Sequence, residues 1–181
     1  MQEISLNILD IAENGVKAGA SLVTITVEEQ PEEDRLTVMI EDNGCGMNAE
    51  QAKRVTDPFF TSRTTRKVGL GVPFIKMAAE MTGGSFSLRS VPGEGTVVTA
   101  VFGYAHIDRM PLGNMAETIG TLVQCNPHMD FVYRHTVANR SFAMDTREFK
   151  AVLGEDISLE EPAVASYIRS YLAEGEAELY V

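Results

Sequence analysis

The side chains best suited to chemistry gather between residues 42 and 72. Asp42 opens the run Asp-Asn-Gly-Cys-Gly-Met, and Gly69-Leu70-Gly71-Val72 closes the stretch. Between them lies a basic, hydroxyl-rich segment containing Arg63 and Lys67. An ionised carboxylate only accepts hydrogen bonds, so Asp42 suits a ligand that presents an amino group. Gly44 and Gly46 let backbone approach a flat ring with no Cβ in the way. Two glycine turns with a cover between them suit a nucleotide, one turn for the base and the other for the phosphates. Asn-Gly is also an ordinary turn dipeptide, so a plain strand-to-helix turn accounts for residues 42–47 if they are taken alone.

The elements that must position these groups follow from periodicity. Residues 3–17 predict an amphipathic helix. At about 100° per residue, Glu3, Asn7, Asp10, Asn14 and Lys17 share a stripe roughly 80° wide. Ile4, Ile8, Leu9, Ile11, Ala12 and Val16 take the broad opposite side. A water-facing stripe is one reading; an acid, two amides and a lysine at i, i+4 and i+7 also meet the needs of a magnesium-phosphate site. Ser21–Val27 and Leu36–Ile40 read as strands around a polar turn at 28–34. A short helix at 48–54 is capped by Asn48, and Pro73 opens a helix running to Met81. Strands at 85–89 and 96–102 form a second hairpin around Pro92-Gly93-Glu94-Gly95. The order predicts an α+β fold, a two-layer sandwich with helices on one face of a mainly antiparallel sheet.

The texture changes after Tyr104, which divides the chain into residues 1–104 and a small α/β module at 105–181. In the module, a helix begins near Met115, and 131–137 with 141–144 make a third hairpin. Asp145 caps a helix that Gly154 stops, and 159–173 form a last helix. The tail from Glu176 to Val181 reads as an edge strand, and the acids from Glu155 to Glu178 as a solvated face.

Composition narrows the function. The chain has 181 residues, 44% of them apolar, and a net charge of −11. That charge argues against bulk affinity for nucleic acid or anionic membrane. Its apolar runs are shorter than a membrane span and no leader pattern opens it, so a cytoplasmic protein is expected. Two cysteines, Cys45 and Cys125, make no disulfide framework. Cys45 reads as a redox-sensitive thiol or a small packing residue. Cys125, His128 and Asp130, on one short loop with no second cluster, fall short of a metal site.

Taken in order, the motifs resemble those of the GHKL, or histidine-kinase-like, ATPase superfamily, over residues 1–104. Asp10-Ile-Ala-Glu-Asn14-Gly-Val-Lys17 resembles its N-box, Asp42-Asn-Gly44-Cys-Gly46-Met47 its G1 box, Phe59-Phe60 its F-box and Gly69-Leu70-Gly71-Val72 its G2 box. Gly93, Gly95 and Thr96 match a final Gly-x-Gly-Thr. The resemblance implies ATP and Mg²⁺ as cofactors. Asn14 would hold the metal, Lys17 would face the phosphates and Asp42 would accept from the adenine amino group. Gly44, Gly46, Met47 and Thr96 would surround the base; Phe60, Arg63, Lys67, Gly69, Leu70, Gly71 and Val72 would form the lid and phosphate side. Asp10 would be the general base. It is one methylene shorter than the Glu of the hydrolysing branches, and about 1 Å of misplacement costs roughly 100-fold in rate. Lys67 stands where the G2 box usually has a glycine.

Three functions follow from the resemblance. The first is a serine/threonine protein kinase acting on a partner protein, like the anti-sigma-factor kinases. The second is an ATP-driven switch or slow ATPase regulating a partner. The third is a detached histidine-kinase catalytic domain. The motifs begin almost at residue 1, with no phosphoacceptor helix ahead of them, and His106, His128 and His135 read as surface or core residues; this favours the first. Protein partners are expected, nucleic acid and membrane are not, and a homodimer stays open.

Overall fold

A computed structural model of the chain describes residues 2–57, 59 and 70–181. Helix α1 (Ile4–Lys17) leads to strand β1 (Leu22–Gln30), a 3₁₀ turn at Pro31–Glu33, and β2 (Arg35–Asp42). Then come α2 (Ala49–Val55), α3 (Gly71–Met81), β3 (Ser85–Val91) and β4 (Gly95–Gly103). The remainder is α4 (Met115–Cys125), β5 (Asp130–Val137), β6 (Arg140–Asp145), α5 (Thr146–Leu153) and α6 (Pro162–Glu178). The strands form a six-stranded sheet in the order β3-β4-β2-β1-β5-β6. β1 and β5 run parallel, and the other pairings among the described residues are antiparallel.

The layers follow from strand alternation. Val23, Ile25 and Val27 of β1, Leu36, Val38 and Ile40 of β2, and Val98, Ala100 and Phe102 of β4 are buried on one face. Helices α1, α3, α4 and α6 close over that face in a single apolar cluster. Ile4, Ile8 and Ile11 of α1 are 0%, 0% and 4% exposed, each burial worth about 1.5–3 kcal/mol. This is the α+β two-layer architecture expected. The first amides of α1 have no side-chain cap. Instead Ile4 N and Ser5 N donate to the carbonyls of Pro111 and Leu112, at 3.0 and 2.8 Å, so the segment before α4 completes the helix start.

Two local expectations need correction. β1 continues through Glu28-Glu29-Gln30, read from sequence as turn, because Glu29 finds a buried partner far along the chain. The tail is not an edge strand: α6 continues to Glu178, with Leu179 buried beyond it. Strands from both sides of residue 104 share the sheet, with Val23 facing Phe131 and Val27 facing His135 across the β1–β5 seam.

Candidate functional site: a cleft between α1, β2 and α3

The cleft is built where β2 ends. Asp42 is the last residue of that strand, paired with Thr96 of β4, and the chain then turns through residues 43–48. Asn43 pins the turn: its Oδ1 accepts from Ser21 N and Leu22 N, at 2.9 and 3.0 Å, and its Nδ2 donates to Ser21 Oγ at 2.8 Å. Cys45 N donates to the Ala18 carbonyl at the end of α1, at 2.9 Å, and Gly93 N donates to the Cys45 carbonyl at 2.7 Å. The turn is thereby tied to α1, β1 and the β3–β4 hairpin together. Gly46 has φ +65°, and a Cβ there would overlap the Val91 carbonyl, so this position requires glycine. Met47 N donates to Ser90 Oγ at 2.8 Å, and that hydroxyl lies 2.8 Å from Thr96 Oγ1. Asn48 and Gln51 then form a reciprocal capping box that starts α2.

Asp42 itself is half-buried. Its Oδ1 accepts from Gly44 N at 2.9 Å. Burial raises its pKa above the ordinary carboxylate value, and the Gly44 and Thr96 amides pull against that rise. Gly15 allows α1 to approach: a Cβ there would stand 2.8 Å from Asp42 Cβ.

The cleft encloses about 620 Å³ and is lined by Asn14, Lys17, Asp42, Cys45, Gly46, Met47, Val72 and Thr96, among others. Its apolar walls are Ile11, Ile40, Val55, Leu88 and Val98. A mostly apolar concavity of this size with a few convergent polar groups is the usual form of a small-molecule site, which spans roughly 300–1,000 Å³. Asn14 and Lys17 lie one turn apart on α1 and bring polar groups to the same opening. Lys17 also faces Glu13 at 3.9 Å, with both side chains largely in solvent.

Helix α3 begins at the other end. Gly71 and Val72 are buried in its first turn, and Leu70, its N-cap residue, is 44% exposed. Asp10 does not line the cleft: it is exposed and packs against the start of α3, where a Cβ on Gly71 would lie 2.7 Å from Asp10 Cβ. The amides opening an α-helix, with the positive end of its dipole, form an anion site. The Asp10 carboxylate and the start of α3 thus sit side by side.

The structure brings together Asn14, Lys17, Asp42, Gly44, Gly46, Met47, Val72 and Thr96, with Asp10, Leu70 and Gly71 at the α3 end. Phe60, Arg63, Lys67 and Gly69 lie outside the described residues. Phe59, matched to the F-box with Phe60, is 93% exposed. Cys45 is exposed and lines the cleft, so it is not a packing residue. Sequence reasoning assigned no role to Asn43, Ser90 or Gly15. The Asn-Gly dipeptide hid the first, and the other two act through partners far along the chain. Among the described residues no group of His, Cys, Asp and Glu could hold a metal by itself; Asp130 is engaged by Lys150 at 2.8 Å.

A strand-end carboxylate, a helix bearing an asparagine, and a second helix presenting its start define an ATP-binding domain of histidine-kinase type. The chain belongs to the histidine kinase-, DNA gyrase B-, and HSP90-like ATPase family, whose sequence profile matches residues 1–106. Similar proteins include the sensor protein DegM of Bacillus sp. (strain B21-2), 31% identical over 91 residues, which is 50% of this chain and 24% of that protein. The non-motile and phage-resistance protein of Caulobacter vibrioides is 32% identical over 118 residues, 60% of this chain and 14% of its own length. The signal transduction histidine-protein kinase AtoS of Escherichia coli is 30% identical over 102 residues, 56% of this chain and 16% of that one. The chain therefore spans a quarter or less of these relatives. Among solved structures, the N-terminal domain of a DNA repair protein shares the fold at TM-score 0.55 and 11% identity, over 86% of this chain and 58% of that one. The Aquifex aeolicus MutL ATPase domain complexed with ADP shares it at TM-score 0.50 and 12% identity, over 96% and 69%. Among the described residues no helix is long and apolar enough to cross a membrane.

Proposed function

We propose that the chain is the Mg-ATP-dependent catalytic module of a protein kinase whose acceptor lies on a partner protein. The observation that carries this reading is that Asp42, Asn14 and Val72 in the first turn of α3 line one cleft, with α1 packed on Asp42 at Gly15 and on the start of α3 at Asp10. A purine held at Asp42 sends its phosphates toward the α3 amides. The residues fit a divalent cation, since a hard ion takes oxygen ligands and the half-buried Asn14 amide offers one, phosphates and water completing the set. When bound, Mg²⁺ neutralises charge on the phosphate oxygens. Lys17 adds positive charge beside the same opening, and Asp10, against Gly71, would take the proton of an incoming acceptor.

The acceptor is a histidine or a hydroxyl. The sensor-kinase relatives favour histidine; the carboxylate beside the phosphate end favours serine or threonine, as in anti-sigma-factor kinases. Residues 105–181 are proposed as the partner-facing part, and the setting as cytoplasmic. Incubation with γ-labelled ATP in native lysate tests the reading. An acid-labile, alkali-stable label on a second protein identifies a histidine acceptor, and an acid-stable, alkali-labile label a hydroxyl. Free phosphate alone would replace this reading with that of an ATPase, and the absence of any transfer with that of a switch.

A further inference from the structure

A second cluster of ionisable groups lies outside the cleft lining, where the end of α6 meets β5. His135 of β5 is 0% exposed. Its Nε2 lies 3.1 Å from Glu29 Oε1 of β1, and its Nδ1 lies 3.0 Å from both carboxylate oxygens of Glu176 in α6. A ring nitrogen facing a carboxylate must carry a proton to be attracted, so this geometry calls for the doubly protonated imidazolium. Tyr133 Oη donates to Glu176 Oε1 at 2.7 Å, and the Tyr180 hydroxyl donates to Glu29. A buried carboxylate and a partly buried one thus share one cation, and tyrosine hydroxyls stabilise the surplus charge.

We propose that Glu29, His135 and Glu176 form a proton-operated latch, which holds the last turns of α6 on the sheet while His135 carries both ring protons and releases them when one is lost to solvent.

The two sides of the cluster differ in mobility. β1 is flanked by β2 and β5 and cannot move without breaking both ladders. Glu176 is on a helix end, and its side chain is more exposed than that of Glu29, 16% against 7%. The last turns of α6 also place Glu174, Glu176 and Glu178 at the negative end of the helix dipole, with no basic residue in the final turn. That arrangement opposes the helix, and the imidazolium offsets it from the sheet side. With one ring proton gone, a bare nitrogen faces a carboxylate. Each carboxylate keeps one tyrosine hydroxyl, Glu29 that of Tyr180 and Glu176 that of Tyr133, but only Glu176, on the helix end and nearer solvent, can exchange the lost partner for water.

The other charged and titratable groups around the cluster do not replace this cation. Tyr104, just beyond β4, faces Glu29 and helps to lower its pKa, and Arg109 lies over the Tyr104 ring at 4.9 Å. Glu117 of α4 and Arg169 of α6 line the groove shared with Glu176, and Arg169 hydrogen-bonds Gln124. Arg140 of β6 donates to the Glu178 carbonyl at 3.1 Å.

Burial alone would lower the His135 pKa, but the hydrogen bonds and charges of Glu176 and Glu29 outweigh it and raise the value from 6.5 to about 9. The latch is therefore complete below pH 6.5 and weakens as pH rises toward 9.

The test is amide hydrogen exchange of the full chain from pH 6 to 9.5, corrected for intrinsic exchange. The expected result is that residues 172–179 exchange faster than β2 and β4, with an opening equilibrium that grows by up to about tenfold per pH unit between 6.5 and 9. His135→Gln should abolish that dependence. The wild-type profile suffices if the variant does not fold. Protection of α6 that is flat with pH, or that at every pH equals that of β2 and β4, would overturn the latch, as would the same dependence surviving in His135→Gln.

Discussion

Replacing Asp42 with asparagine separates recognition from architecture, because the two jobs of this carboxylate fall on different atoms. Oδ1 accepts from Gly44 N at 2.9 Å and holds the turn; an asparagine carbonyl at the same place keeps that bond. The second oxygen becomes an NH₂ donor. A purine amino group that had met an acceptor then meets a donor, and a hydrogen bond to a charged group, worth about 1.5–3 kcal/mol, is lost. Affinity for ATP should fall about 10- to 150-fold. The unliganded fold should not suffer. Burial already raises the Asp42 pKa, which means that the fold disfavours the charge the substitution removes.

Isothermal titration and thermal melting of both proteins, without nucleotide, give the two readings. The expected pair is weakened ATP binding with an unchanged or higher melting temperature. Inosine triphosphate, which presents an acceptor where ATP has its amino group, should lose less affinity than ATP or gain some. ATP affinity that survives the substitution would refute the adenine role. A loss of affinity matched by a fall in melting temperature would mean that the carboxylate supports the turn and not the base.

Further outcomes follow from the same cleft. Asn14→Ala should weaken ATP binding in Mg²⁺ by tenfold or more and far less in EDTA; equal losses in the two titrations would remove Asn14 from the metal. Asp10→Asn should leave nucleotide affinity within about twofold, because the side chain stands outside the cleft lining, yet stop phosphoryl transfer or hydrolysis; wild-type turnover in that variant would end its assignment as base. Gly46→Ala combines φ +65° with overlap of the Val91 carbonyl. It should cost about 1–3 kcal/mol of stability by chemical denaturation, and an unchanged midpoint would show that the turn relaxes freely.

The parts legible in the sequence are those in which local chemistry and long-range packing agree. Val23, Ile25 and Val27 alternate and are buried. Ile4, Ile8 and Ile11 recur at helical spacing and are buried too. Asn48 and Asp145 are caps in sequence and caps in space. The cleft was readable for the same reason: the turn at 42–47 needs Gly46 for backbone geometry, and Asp42 leads directly into it.

What stayed hidden depends on partners remote in the chain. Glu28-Glu29-Gln30 carries every local mark of a solvated turn, yet Glu29 is 5% exposed because a histidine 106 positions away neutralises it. The parallel pairing of β1 with β5 has no local signature either, since register between distant strands is set by the faces they bury. Gly175 gives the sharpest instance. As a helix breaker it suggests that α6 ends there, and the acids beside it suggest exposure. In the fold, the helix runs through Gly175, and the position needs glycine because a Cβ would strike the Phe142 ring. That close approach lowers the next residue, Glu176, onto His135. The missing side chain and the buried charge are therefore one feature. A larger residue at 175 would lift α6 off β6 and break the His135 cluster together with it, while Asn14, Asp42 and Gly71, which it does not touch, would stay in place.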